Sequence, residues 1–112
     1  MSDDILKQQV ATQLDVQNLY DLRALMDTQQ GRRFFQWLLL KCGRNNTSFT
    51  RDSRTYFNEG MRNVALLLES SMKAIGLEGV DLLHQSEREY IELSEAIKRQ
   101  ILDQGGDGHG KV

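Results

Sequence analysis

The chain has 112 residues, enough for one domain with a modest hydrophobic core. It contains no proline and one cysteine, and its abundant Leu, Gln, Glu, Arg and Lys favour helices over a β-sandwich and exclude an internal disulfide. The net charge of -2 hides an asymmetry, because residues 31–63 carry seven basic and two acidic residues between acidic flanks. Such a segment can face nucleic acid, or be neutralised by its own flanks after folding, which is the favoured alternative.

The first part of the chain predicts helix. Ile5, Val10 and Leu14 form a thin apolar stripe, and a stronger one follows with spacings of three and four: Val16, Leu19, Leu22, Leu25 and Met26. Asp27 or Thr28 is the expected N-cap of the next element. The acidic, polar N-terminus lacks the apolar segment of a signal peptide, and no apolar run of about 18 residues follows. We therefore expect an intracellular protein, or one of a particle assembled in the cell.

The second element, GRRFFQWLLLKC from Gly31 to Cys42, is apolar nearly all round. This pattern predicts a short helix that is the most buried of the chain, with Trp37 in the core and Cys42 as a small buried hydrophobe. Gly43 is expected to end it.

The second half predicts a loop over residues 44–53 and two long helices. The first helix carries an apolar stripe and ends at Gly76: Phe57, Met61, Val64, Leu68, Met72 and Ile75. The last helix is charged on its other faces, and residues 105–112, GGDGHGKV, have the composition of a flexible end. We therefore predict an all-α fold, a small bundle of four to five helices forming one domain over residues 1–104, with a long C-terminal amphipathic helix and a disordered tail over 105–112.

The last helix offers the candidate partner-binding face. Its apolar stripe consists of Leu83, Tyr90, Leu93, Ile97 and Ile101. The stripe can bind a sister chain or a larger protein by laying an amphipathic face in a groove, or it can fold back on the first helices; both alternatives stay open.

Other residues suggest weaker sites. Arg44, Arg51 and Arg54 are possible phosphate contacts, but no phosphate loop or helix-turn-helix spacing accompanies them. Cys42 has no evident partner base, and His84 has no second His or Cys within helical reach. We expect no enzymatic activity, no metal and no cofactor.

Glu59 and Arg62 stand three residues apart on the first long helix, as a surface pair or as a buried clamp. Gly60 between them favours the buried alternative, because a glycine inside a helix costs roughly 1 kcal/mol against alanine and usually stays where another element packs closely.

Several motifs agree in order and spacing with a known family. Gly31-Arg32-Arg33 opens the hydrophobic helix that ends at Cys42-Gly43, Ser48-Phe49-Thr50 lies in the loop, and Asn58-Glu59-Gly60-Met61-Arg62-Asn63 follows. The pattern resembles a small helical domain of virion-associated proteins of short-tailed bacteriophages, whose genes tend to lie with portal, scaffold and coat genes. The similar core covers residues 28–89. The family pattern has a proline that opens the last helix, and this chain has none.

The resemblance implies a non-enzymatic phage structural or accessory protein of the virion or the host cytoplasm. Its expected partners are portal, tail or internal virion proteins, or further copies of itself, with non-specific DNA contact as a possibility. It also suggests a structural clamp, in which the loop crosses the long helix, Phe49 fills a gap beside Gly60, and Glu59 binds Arg32, Arg33 or Arg62. The alternatives are a small nucleic-acid-binding phage protein that uses residues 31–63, and an early phage inhibitor of a host protein.

Overall fold

The computed structural model describes residues 2–43 and 54–110, with side chains through residue 105. The all-α prediction is confirmed, because the described residues form four helices and no strand. They are α1 (Asp3–Leu25), α2 (Gln29–Lys41), α3 (Arg54–Ala74) and α4 (Leu77–Gly110). The backbone of α4 is helical to Gly110, and the flexibility expected for residues 105–112 stays a prediction.

Local chemistry explains where the helices begin and end. The Ser2 hydroxyl accepts a hydrogen bond from the Ile5 amide at the start of α1, and the Thr28 hydroxyl accepts one from the Gly31 amide at the start of α2. Thr28 is therefore the cap among the two predicted candidates. Gly43 and Gly76 follow α2 and α3 with φ of 75° and 106°, a region that glycine enters without steric cost.

A small core lies where α2, α3 and the first half of α4 meet, closed by the last turn of α1. α2 runs antiparallel to α4, since Arg32 contacts Glu89 while Gln36 contacts Ser86. The turn at Gly76 makes α3 antiparallel to α4 as well. The buried apolar residues are Met26, Phe35, Leu39, Cys42, Ala65, Met72 and Leu83. Burial of Cys42 agrees with its expected role as a small hydrophobe.

Two expectations about the core are wrong. Trp37 is 46% exposed and lies against Phe34, with ring centroids 5.8 Å apart. The side of α2 that faces the core carries Phe35 and Leu39 instead. Because α2 is apolar nearly all round, its periodicity does not specify which side is buried.

The apolar stripe predicted for α3 is also shifted. Phe57 and Val64 are exposed, whereas Ala65, which the predicted stripe omits, is fully buried beside Met61 and Leu68. The helix carries apolar residues on two faces, and the predicted stripe combined residues from both of these faces.

The molecule is elongated, because two helical segments extend beyond the core. Ser2, residues 3–18 of α1 and residues 94–105 of α4 are all exposed. The radius of gyration is 19.8 Å, against about 13 Å for a compact domain of this length. The longest dimension is 79 Å. Packing within the chain therefore leaves about a quarter of it, residues 2–18 and 94–105, uncovered.

Gly31 supplies a stability prediction. A Cβ at Gly31 would overlap the backbone carbonyl of Leu25, because the end of α1 passes close to the start of α2. Gly31→Ala should therefore lower the free energy of unfolding in urea by about 1–3 kcal/mol through forced backbone displacement. Gly105→Ala is the control, since no described atom lies within 4 Å of its Cβ position and alanine favours helix. Equal stability of the Gly31 variant and the wild type would contradict the close approach.

Candidate interaction surfaces

A partly buried ion pair joins three helices at one end of the core. Arg32 on α2 donates from Nε to Glu89 Oε2 at 2.8 Å and from Nη2 to Glu89 Oε1 at 2.9 Å. Its Nη1 donates to the Met26 carbonyl, at the end of α1, at 2.9 Å. The two side chains are only 11% and 13% exposed. The planar guanidinium thus binds the carboxylate in a fork and holds the end of α1 as well.

The charge state of this pair follows from its hydrogen bonds. The hydrogen bonds from Arg32 lower the pKa of the Glu89 carboxyl below its ordinary value, against the opposing effect of desolvation. Gln85, one turn earlier on α4, donates a further hydrogen bond to Glu89 at 3.0 Å. Glu89 is therefore ionised at neutral pH and neutralises Arg32.

A second polar contact lies deeper in the core. Gln36 donates from Nε2 to the Ser86 hydroxyl at 2.8 Å, and Ser86 donates to the Leu83 carbonyl at 2.6 Å. Gln36 is 3% exposed and Ser86 is fully buried. Buried polar groups must find partners, so this pair fixes the register of α2 against α4. Sequence reasoning missed both residues and Glu89; Gln36 inside the apolar run was the available signal, but nothing in the sequence identified its partner.

The predicted clamp is only partly within the described residues. Phe49 lies outside them. Glu59, Gly60 and Arg62 are exposed, and no described heavy atom lies within 4 Å of a Cβ placed at Gly60. The suggested pairing of Arg32 with Glu59 is wrong, because Arg32 binds Glu89 on α4. Close packing as the reason for Gly60 finds no support among the described residues.

Arg33 and the other arginines of the basic segment differ in burial, and some of them lie outside the described residues. Arg33 is partly buried, and its Nε has no hydrogen-bond partner among the described residues. Arg44 and Arg51 lie outside the described residues, and Arg54 is exposed at the first residue of α3. Glu89 lies in the acidic flank that follows residues 31–63, and it neutralises Arg32. At least one positive charge of the basic segment is therefore compensated within the fold.

Exposure of Glu59 gives a direct test of the clamp. Glu59→Ala should change the free energy of unfolding by no more than about 0.5 kcal/mol, as is usual for surface substitutions. Thermal unfolding of the two proteins at equal concentration measures this. A loss of several degrees in melting temperature would restore the clamp and place a partner over Glu59.

The candidate partner-binding face of α4 divides into two parts. Leu83 is 3% exposed and belongs to the core, so its assignment to a partner face is wrong within this fold. Tyr90 and Leu93 are half-buried, and Ile97 and Ile101 are 46% and 62% exposed. The N-terminal end of the stripe is therefore buried in the core, and its C-terminal end is exposed. The alternative that the stripe folds back on the chain applies to Leu83, and partner binding by the exposed half stays a prediction.

Two further apolar surfaces escaped sequence reasoning. Phe34 and Trp37 form an exposed aromatic patch on α2. Phe57, Gly60, Val64 and Leu67 recur at spacings of three, four and three, which places them on one side of α3, here named the outer face of α3. Its three large side chains are between 46% and 66% exposed. The spacing of these residues could have predicted the outer face of α3. The apolar stripe predicted for the same helix overlaps this face, because it includes Phe57 and Val64.

Other kinds of site find little support in the described part of the chain. Its residues contain no group of three or more His, Cys, Asp or Glu that could hold a metal ion. None of the helices there is both long enough and apolar enough to cross a bilayer.

The fold and these surfaces define a class: a small all-α protein with a minimal core, projecting helical segments and exposed apolar faces. The family model described as Bbp19-like phage protein matches residues 22–86, which is more than half of the chain. The chain therefore belongs to the Bbp19-like phage protein family. The matched segment runs from the last turn of α1 into the first third of α4, and it contains every buried core residue that the structure describes. No curated protein and no solved structure matches the chain.

Proposed function

We propose that this phage protein is a non-enzymatic structural or accessory component that acts through protein–protein contacts in the virion or during its assembly. The expected location is internal, portal-proximal or tail-associated in a short-tailed phage. Its partners are other virion proteins or further copies of the chain. Membership of a phage protein family supports the setting, and the uncovered apolar faces support the mode of action.

The observation that carries the proposal is the surface that the chain leaves uncovered. Its accessible area is 8572 Å², whereas a compact monomer of 12.9 kDa exposes about 6,300 Å². Ile97 and Ile101 on α4 and Leu6 and Val10 on α1 contribute apolar side chains to the projecting segments. Exposed apolar side chains on projecting helical segments are typical of surfaces that bind other proteins.

Quantitative mass spectrometry of purified particles, before and after DNA release, tests the proposal. We expect the chain in intact particles at a fixed copy number. Its loss on DNA release would mark an internal protein, and its retention would mark the shell or the portal–tail junction. Absence from both samples would contradict a virion component, and absence from assembly intermediates as well would overturn the proposal.

A further inference from the structure

Among the described residues, α1 is attached to the rest of the molecule through its C-terminal end. Leu22 packs against the core, and Met26 is 1% exposed. Arg23 forms an ion pair with Glu78 at the start of α4. These contacts anchor α1 from residue 19 onward, where its first half-buried side chain lies. The helix is therefore held at one end and projects from the core at the other.

Residues 3–18 of α1 have no such support. All of them are exposed. Within the described part of the chain, their side-chain hydrogen bonds stay inside α1: Thr12 donates to the Gln8 carbonyl at 3.0 Å, and Gln17 donates to Asp21 at 2.9 Å. The helix of this segment therefore rests on its N-cap, these local bonds and the helix propensity of its residues.

A helix without tertiary contacts grows outward from its anchored end, one residue at a time. The propagation constant per residue is about 1–1.6 for good helix formers near 0 °C. It is lower by up to about three-fold for aspartate, asparagine, valine and threonine, which have weaker helix propensity. A constant below 1 means that adding that residue to the helix is unfavourable, so a group of such residues limits how far the helix extends.

The residues next to the anchored end of α1 are mostly of this weaker kind. Growth outward from residue 19 meets Asn18 first, and then Val16 and Asp15 after one glutamine. Asparagine and aspartate side chains compete for backbone hydrogen bonds, and valine loses side-chain freedom against the preceding turn. Residues 15–18, here named the α1 link, are therefore a weak point through which the rest of the exposed helix is attached.

We propose that residues 3–18 of α1 are a local unfolding unit, which opens at the α1 link while the core stays folded. Once the link is open, residues 3–14 have no anchor, and an isolated helix of about 12 residues is marginal in water. The segment therefore opens as a whole. A partner that binds the helical form of α1 has its Kd raised by the inverse of the helical fraction, so the α1 link regulates how readily α1 is engaged. This inference goes beyond the proposed function and concerns the chain in solution, whether or not particles contain it.

The projecting segment of α4, residues 94–105, is an internal comparison. It is exposed as well, but Glu95 and Arg99 stand four residues apart, as do Arg99 and Asp103. Opposite charges at this spacing stabilise a helix. The segment also contains no valine, threonine or asparagine. We therefore expect it to open less readily than residues 3–18.

Hydrogen exchange of the purified full-length chain, followed by mass spectrometry of its peptides, tests the inference. The amides of residues 7–18 should exchange at least about 100-fold faster than those of residues 61–72 in α3, because opening of the segment does not require unfolding of the core. The amides of residues 95–104 should exchange at intermediate rates.

Strengthening the α1 link tests its role directly. Val16→Ala/Asn18→Ala replaces two weak helix formers at exposed positions and should slow the exchange of residues 7–14 by roughly five- to ten-fold. Asn63→Ala/Val64→Ala is the matched control, because it makes the same two replacements at exposed positions of α3. It should leave the exchange of residues 7–14 unchanged.

A proline in the link tests whether the core depends on the segment. Val16→Pro should keep the segment open, since proline breaks a helix interior. Far-UV circular dichroism should show the loss of helix, while the urea midpoint, followed by the fluorescence of the single tryptophan Trp37, should stay at the wild-type value.

Three results overturn the inference. The first is protection of residues 7–18 as strong as that of residues 61–72. The second is equal exchange of residues 7–14 in the wild type and in Val16→Ala/Asn18→Ala. The third is a lower urea midpoint in Val16→Pro, which would mean that the core needs the helical segment.

Discussion

Arg32→Met should lower the free energy of unfolding by about 3 kcal/mol at pH 7, and Glu89→Gln by a similar amount. Each substitution strands its partner in a site where the two side chains are only 11% and 13% exposed, and a buried charge without a partner is costly. Arg32→Met also removes the donor to the Met26 carbonyl, so it should loosen the contact between α1 and α2. Urea unfolding measures both effects.

A double variant separates the attraction between Arg32 and Glu89 from the free-energy cost of leaving one of the two charges buried without its partner. Arg32→Met combined with Glu89→Met removes both charges, and we expect it to recover much of the loss of either single variant. Glu92→Gln is the control on the same helix, since Glu92 and its partner Arg88 are each 67% exposed and 3.9 Å apart. Its effect should stay within about 0.5 kcal/mol. A loss in the Glu89 variant no larger than that in the control would contradict a stabilising role for the pair.

The same pair predicts a pH dependence. The pKa of Glu89 is lowered in the folded state from its ordinary value of 4.5, mainly by the hydrogen bonds from Arg32. Its stabilising contribution is therefore fully present above pH 4.5 and is lost as the pH falls below that value, because the unfolded state takes up the proton first. The difference in stability between wild type and Glu89→Gln should shrink over this range. A difference that stays constant to pH 3 would contradict the lowered pKa.

Leu39→Ala should lower the free energy of unfolding by about 3 kcal/mol, as much as Arg32→Met. Leu39 is fully buried where α2 meets α3 and α4, so its truncation leaves a cavity in a small core, which has seven buried apolar residues in the described part of the chain. Trp37→Ala, two residues earlier on the same helix, is the informative comparison. Because Trp37 is 46% exposed, we expect its loss to cost less than about 1.5 kcal/mol despite its greater size.

The measurement is urea unfolding of the two α2 variants beside the wild type. A larger effect of Trp37→Ala than of Leu39→Ala would mean that the core-facing side of α2 is assigned wrongly. If the Trp37 variant is stable but no longer enters particles, the aromatic patch of Phe34 and Trp37 is a contact with another protein.

The sequence predicted well those features that depend on neighbours along the chain. Helix content, an N-cap at Asp27 or Thr28, and the glycines that end α2 and α3 follow from local backbone preferences, which a single segment expresses by itself. The motifs of residues 31–63 also resembled a phage family before the fold was known, and the family match confirms a phage protein.

The fold alone decided which sides of the helices are buried and which charges pair. α2 and α3 carry apolar residues on more than one side, so periodicity permits several buried faces, and only packing against the other helices selects one. The sequence suggested Arg32 as one of three arginines that could bind Glu59, yet Arg32 binds Glu89, which lies 57 residues away along the chain. The buried side of a helix and the pairing of charges both depend on how the helices are placed relative to one another. Local sequence patterns do not specify that placement, so only the folded structure shows it.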